Sequence, residues 1–336
     1  LTKGINHLAF SRDGKYLVAT AADDCHNVAV FDWEKGAAED ISNITNARLR
    51  VKKGQAQCKG PTVGTCEGGR ANILGVCFNK TGDTIAMCCV KEVNFITVQP
   101  GKLKKKKATG LKGENLTSIM CCGYLNNTLL CGTIKGRLLV CAGTQFTKTL
   151  KAHTDSLNSI FIRENDTGFI TGGSDGNVLT WDTKYSITNR FSIKTEEIHS
   201  LCPRVRSIDE DSNGNILLGT RGGEIIEVSN GKATVYLRGH WDKELWGLCV
   251  HPEKDQYYTV GEDKLLGVWD IQTRKLKQYC ILEEAATTVV ISPNGKDLAI
   301  GCESGNFYIY DANTLKKKSK KKESVTKAVE EIKYSP

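Results

Sequence analysis

No apolar run in this chain approaches the length of a membrane span, so no stretch reads as a transmembrane helix. The first residues, LTKGINHLAF, do not read as a secretory signal. No C-x-x-C pair occurs among the 14 cysteines; Cys88-Cys89 and Cys121-Cys122 are directly adjacent instead, so paired metal-binding thiols are not expected. No G-x-x-x-x-G-K-S/T string occurs, which excludes a phosphate loop of that type. Most cysteines, Cys77, Cys249 and Cys302 among them, sit inside apolar runs, where Cys acts as a small hydrophobe. That usage points to a reducing compartment. The Asn-x-Thr triplets at Asn115 and Asn165 then read as turn chemistry, not as glycosylation sites.

What is present is a repeating pattern. The chain has 336 residues, 40% hydrophobic and 25% charged, with 33 glycines, a globular composition. From Gly239 to Asp270 a Gly-His pair is followed by three apolar runs (Leu245 to Val250, Tyr257 to Gly261, Leu265 to Trp269) separated by two polar turns, and the stretch closes on Trp-Asp. Three short strands joined by tight turns make a propeller blade without its outer strand, and the Gly-His start and Trp-Asp finish mark a WD-type repeat. One sheet this small cannot bury both faces alone, so copies must stack. Further first strands are read at Ile5–Phe10, Ile73–Phe78, Leu116–Cys122, Leu157–Ile162, Val205–Ile208 and Thr287–Ile291, each followed by a turn rich in Asp, Asn or Gly. An eighth run, Ala328–Tyr334, stops at Ser335-Pro336. Successive starts lie roughly 40 residues apart, except for a much longer first interval. The expectation is an all-β WD-repeat β-propeller of seven four-stranded blades over residues 1–325, with 326–336 opening a truncated further repeat. Eight blades, or one half of a tandem propeller pair, are the alternatives.

A second ruler agrees. Thr171, Asp175 and Trp181 keep the spacing of Thr259, Asp263 and Trp269. Cys131 to Cys141 and Ile300 to Tyr310 hold the same offset without the Trp, and Phe31 takes the Trp place in the first copy. In WD repeats the His, the strand Ser/Thr, the turn Asp and the strand Trp form a buried hydrogen-bonded set. Here the sets are His153, Thr171, Asp175, Trp181 and His240, Thr259, Asp263, Trp269. A His-Asp dyad with Thr as nucleophile is the competing reading, but a structural device recurs where a catalytic site does not. His153, His240 and His251 lack a Cys or carboxylate cluster, so no metal is expected. No cofactor and no catalytic residue is assigned.

The long first interval, Glu34 to Arg70, must hold the first blade's outer strand, placed at Ala47–Lys53; the remainder, GQAQCKGPTVGTCEGGR, reads as a tolerated surface insertion or a binding loop. Two lysine runs, at Lys102–Lys107 and Lys316–Lys322, fall where outer strands belong. Edge lysines block strand addition. With Arg48, Arg50, Lys52 and Lys53 they also predict a basic rim, in keeping with a net charge of +8, suited to an acidic partner. The candidate contact residues are Lys104, Lys105, Lys106, Lys107, Lys316, Lys317, Lys318, Lys320, Lys321 and Lys322. No aromatic is interleaved with them, so nucleic acid is not the expected partner. On the loops entering the first strands lie Asp155, Trp241, Asp242, Lys243 and Glu244. Trp241 and Asp242 are the candidate anchors there, while Trp246, inside a strand run, reads as packing.

GHWDKELWGLCVHP, Gly239 to Pro252, resembles the Gly-His…Glu-Leu-Trp-Gly-Leu…His-Pro signature of the echinoderm microtubule-associated protein-like family. KAHTDSLNSIFIRENDTGFITGGSDGNVLTWD, ISPNGKDLAIGCESGNFYIYDA and AADDCHNVAVFDW are similar to repeats of that family, in the same order. The resemblance implies a non-enzymatic cytoskeletal scaffold that binds microtubules or tubulin in the cytoplasm, a cilium or a flagellum. It also implies a second propeller, a hydrophobic motif and a coiled coil, none of them visible in this sequence. The competing function is a general WD-repeat adaptor that docks a peptide motif in a multiprotein complex.

Overall fold

A computed structural model of the chain describes residues 4–32, 62–99, 102–113, 117–195, 198, 200–318 and 323–324. The described strands form seven four-stranded sheets in which each strand pairs with its neighbour in sequence. Blade 1 holds β1 (Ile5–Phe10), β2 (Tyr16–Ala21), β3 (Val28–Asp32) and β4 (Thr62–Cys66). Blade 2 holds β5 (Ile73–Phe78), β6 (Thr84–Cys89), β7 (Glu92–Gln99) and β8 (Lys102–Lys107). Blade 3 holds β9 (Ile119–Leu125), β10 (Thr128–Thr133), β11 (Arg137–Ala142) and β12 (Gln145–Lys151). Blade 4 holds β13 (Leu157–Ile162), β14 (Phe169–Gly173), β15 (Asn177–Trp181) and β16 (Ile187–Ser192). Blade 5 holds β17 (Val205–Glu210), β18 (Ile216–Thr220), β19 (Ile225–Ser229) and β20 (Lys232–Leu237). Blade 6 holds β21 (Leu245–Val250), β22 (Gln256–Gly261), β23 (Leu265–Asp270) and β24 (Leu276–Ile281). Blade 7 holds β25 (Ala286–Ile291), β26 (Asp297–Cys302), β27 (Asn306–Asp311) and β28 (Glu323–Ser324). This is the all-β, seven-bladed propeller class. Among the described residues no helix is long and apolar enough to cross a membrane.

Contacts divide the chain into two compact units. The first contains blades 1 to 4 and β17; the second contains blades 6 and 7. In the first unit the first strands lie side by side, β1 against β5, β5 against β9, β9 against β13 and β13 against β17. In the second, β21 lies against β25.

Between blades the core forms layers. Val18, Val30, Ile85 and Ile96 fill the seam of blades 1 and 2; Phe95, Leu129 and Leu139 that of blades 2 and 3; Leu130, Val140, Phe169 and Leu179 that of blades 3 and 4. In the second unit Tyr258, Val268, Ile300 and Tyr308 do the same for blades 6 and 7. A middle strand is therefore covered on both faces, and β6 and β10 are buried at every position but the first. That is why those strands read as continuous apolar runs. Each fully buried Leu, Ile or Phe contributes roughly 1.5–3 kcal/mol. Fourth strands such as β12 and β16 are mostly exposed and carry no such run.

First strands share a further device. The pairing of first with second strand slips by one residue at the same place in six blades, leaving Asn6, Leu74, Met120, Asn158, Trp246 and Thr287 without a cross-strand partner. Such a bulge bends the strand and re-aims the extra side chain.

Two sequence expectations are corrected. The outer strand of blade 1 is Thr62–Cys66, inside the segment read as an insertion, because TVGTC is half-exposed and has no apolar period. The positions proposed for it, 47–53, lie outside the described residues. The first strand of blade 3 is Ile119–Leu125, not Leu116–Cys122: Gly123, Tyr124 and Leu125 continue the ladder, and Asn126, at φ 53°, makes the turn. The terminal run 328–334 and the boundary at 325/326 also lie outside the described residues.

Candidate functional site

In blade 4 the structure brings together His153, Thr171, Asp175 and Trp181. His153 Nδ1 is 2.9 Å from Asp175 Oδ1, His153 Nε2 is 3.0 Å from Thr171 Oγ1, and Trp181 Nε1 donates to Thr171 Oγ1 at 2.9 Å. The donors fix the tautomer. Asp175 can only accept, so Nδ1 carries the proton; Nε2 then accepts from the Thr171 hydroxyl, whose oxygen accepts from the indole. Burial raises the Asp175 carboxyl, but His153 and the Thr154 and Asn177 backbone amides outweigh it and hold it well below the usual carboxylate range.

Blade 6 repeats the arrangement. His240 Nδ1 lies 2.9 and 3.0 Å from the two oxygens of Asp263, His240 Nε2 is 2.9 Å from Thr259 Oγ1, and Trp269 Nε1 donates to that oxygen at 2.6 Å. The Trp241 and Leu265 amides donate to Asp263. Both threonine hydroxyls are buried and committed to two partners each, so neither is presented as a nucleophile. Each set ties the loop before a blade to its second strand, second turn and third strand. Among the described residues no group of three or more His, Cys, Asp or Glu could hold a metal ion.

Trp241 and Trp246 exchange the places read for them. Trp241 is half-buried, with its backbone amide donating to Asp263 and its indole N–H without a hydrogen-bond partner among the described residues. Trp246 is 56% exposed and donates to Glu262 at 3.0 Å. Trp246 is not alone in this: Leu245, Leu248 and Val250 of the same strand are exposed too, and only Gly247 of β21 is buried. Asp242 lies 4.0 Å from Arg221, and Lys243 pairs with Glu262 at 3.1 Å. Glu244 receives the Glu262 amide on its carbonyl, and Asp155 accepts from the Ser156 amide.

The lysine runs differ from each other. Lys102–Lys107 is β8, the fourth strand of blade 2, with Leu103 turned into the core and the lysines exposed. Lys105 donates to the Glu67 and Gly68 carbonyls, and Lys107 pairs with Glu92 at 2.6 Å. Lys104 and Lys106 make no ion pair among the described residues. In the second run, Lys316, Lys317 and Lys318 precede the outer strand of blade 7 instead of forming it. Lys317 lies 3.8 Å over the Tyr308 ring and pairs with Glu283 at 2.9 Å; Lys318 bridges Asp297 and Asp311. These two cations are turned to their own blade. Lys320, Lys321 and Lys322 lie outside the described residues, as do Arg48, Arg50, Lys52 and Lys53.

One node left no sequence signal. Asp166, in the turn after β13, has a side chain only 2% exposed and receives Arg12 at 2.8 and 3.1 Å and Lys80 at 2.9 Å. Arg12 also donates to the Tyr124 carbonyl at 2.9 Å. The turns after β1, β5 and β13 thus meet at one carboxylate, and Arg12 adds the end of β9 through the Tyr124 carbonyl.

The WD domain, G-beta repeat family matches residues 2–28 and 144–182, the second ending one residue beyond Trp181. Echinoderm microtubule-associated protein-like 4 of Xenopus laevis is 26% identical over 333 residues, covering 93% of this chain. The chain carries two stretches that match the WD repeat and is similar along most of its length to the echinoderm microtubule-associated protein-like family. Echinoderm microtubule-associated protein-like 2 of Homo sapiens is 26% identical over 310 residues and protein-like 1 of Mus musculus 25% over 320, covering 90% and 93% of the chain. The chain spans 33%, 43% and 36% of the length of these three relatives.

Proposed function

We propose that the chain is a non-enzymatic scaffold of the cytoplasmic cytoskeleton that binds microtubules or tubulin, with β8 as its basic contact strand. The observation that carries the contact is the pair of exposed ammonium groups on Lys104 and Lys106, which make no ion pair among the described residues, on the outermost strand of a blade. The names of the relatives support the partner. An outer strand displays side chains without disturbing the seams, and its lysines repel strand addition while attracting an acidic surface. Tubulin's acidic tails are such a surface. Binding through these groups is electrostatic and weakens with salt.

The test is co-sedimentation with polymerised tubulin across a salt series, using the chain and its Lys104→Gln, Lys106→Gln double variant. Weaker binding and a shallower salt dependence in the variant are expected. Unchanged binding overturns the contact strand, and no binding by either protein overturns the partner.

A second reading, a peptide-docking adaptor, rests on the exposed Trp246 ring, held by Glu262, and on the half-exposed Asp242 of the preceding loop. It predicts capture of one soluble partner, lost on Trp246→Ala or Asp242→Ala and insensitive to the lysine substitutions.

A further inference from the structure

The seam between blades 2 and 3 contains a concentration of thiols that the binding role does not use. Cys77 on β5 and Cys122 on β9 lie with their Sγ atoms 3.3 Å apart. Behind them, Cys88 on β6 and Cys131 on β10 are 3.8 Å apart, and Cys121 donates to the Leu157 carbonyl. Every described cysteine is a free thiol.

The two pairs differ in access. Cys88 and Cys131 are fully buried. Cys77 and Cys122 are half-buried and line a cavity of about 530 Å³ together with Phe10, Arg12, Phe78 and Tyr124. The backbones are close there as well. A Cβ on Gly75, which shares a strand face with Cys77, would stand 3.4 Å from Cys121 Cα and 3.5 Å from the Met120 carbonyl. That is ordinary contact distance, so β5 and β9 run side by side there, and sulfur atoms on neighbouring strands at this separation need to close by little more than 1 Å to bond.

The geometry points to Cys77 and Cys122 as a peroxide-responsive dithiol that closes to a disulfide and ties blade 2 to blade 3. Cys122 is the attacking sulfur. The Cys77 S–H donates to it, and with Cys88 holds its thiol well below the ordinary value while Cys77 is pushed up. In the first step the Cys122 thiolate attacks one oxygen of hydrogen peroxide. The O–O bond breaks, a sulfenic acid forms on Cys122, and the departing hydroxide is protonated to water. In the second step Cys77 sulfur attacks Cys122 sulfur. The S–S bond forms, the S–O bond breaks, and the leaving oxygen takes the Cys77 proton as a second water. Overall two thiols lose two electrons and one peroxide gains them. A dithiol reductant reverses the change.

The test is differential alkylation and peptide mapping of the chain before and after stoichiometric hydrogen peroxide. Expected are joint loss of free thiol at Cys77 and Cys122, a linked peptide containing both, recovery with reductant, and unchanged thiols at Cys88 and Cys131. In Cys77→Ser the intermediate cannot be resolved, so a sulfenic acid probe labels Cys122; in Cys122→Ser neither label nor link forms. Oxidation confined to the exposed Cys25, or a Cys88–Cys131 link formed as readily, overturns the proposal. The mapping on the unsubstituted chain decides the question even where a variant does not fold.

Discussion

Arg12 and Asp166 are 154 residues apart in sequence and 2.8 Å apart in the structure. Asp166 is buried, and Arg12 with Lys80 satisfies it. Removing one cation leaves a buried carboxylate short of a partner, which costs more than the pair itself contributes. Arg12→Ala is expected to destabilise the first unit by on the order of 2 kcal/mol, measured by urea unfolding with the unchanged chain alongside.

The same carboxylate gives a pH signature. Arg12 and Lys80 outweigh the effect of burial and hold Asp166 well below its ordinary value. Its contribution is therefore complete above the unfolded value of about 4 and is lost as pH falls through the folded value. The stability gap between the chain and Asp166→Asn is expected to narrow from pH 7 to pH 3. A gap independent of pH would show that the charge of Asp166 is not what stabilises the node.

Thr171 and Thr259 each sit in the middle of a hydrogen-bond relay. Thr171→Val keeps the volume but leaves the Trp181 indole N–H and the His153 ring nitrogen unpaired in the interior. A loss of about 1–3 kcal/mol is expected. The same loss is expected for Thr259→Val, and thermal denaturation followed by tryptophan fluorescence measures both.

The two lysine runs predict opposite outcomes. Neutralising Lys317 and Lys318 removes internal pairs with Glu283, Asp297 and Asp311, so it lowers the melting temperature and leaves tubulin binding little changed. Neutralising Lys104 and Lys106 weakens binding and spares the fold. A co-sedimentation assay paired with thermal melts separates them.

Trp246 and Trp269 form a further contrast. Trp246→Ala, at an exposed bulge, is expected to cost below about 1 kcal/mol. Trp269→Ala, at 7% exposure, is expected to cost about 3–5 kcal/mol. Acrylamide quenching of the single-tryptophan variants reports the difference in access directly.

The second and third strands and the Thr-Trp ruler were readable because their residues are buried on both faces: β14 is buried at every position, and Thr171, Trp181, Thr259 and Trp269 are all buried. The outer strand of blade 2 was legible from its lysines, but that of blade 1 was not, since Thr62–Cys66 has one wet edge and no period to detect. The first strand of blade 3 was misplaced because Gly123-Tyr124 resembles a turn, while Asn126 carries the positive φ. Trp246 was misplaced because an apolar run was taken to mean burial, whereas β21 is apolar and yet exposed at four of its six positions. Asp166 escaped notice because its partners come from other blades and nothing nearby in sequence announces them.

Since every sheet is assembled from consecutive segments, most pairing is settled soon after each stretch leaves the ribosome, at little cost in chain entropy. The carboxylate at 166 is the exception. The guanidinium and ammonium it requires come from residues 12 and 80, so this one buried charge stays unsatisfied until the turn of the fourth blade meets those of the first and second.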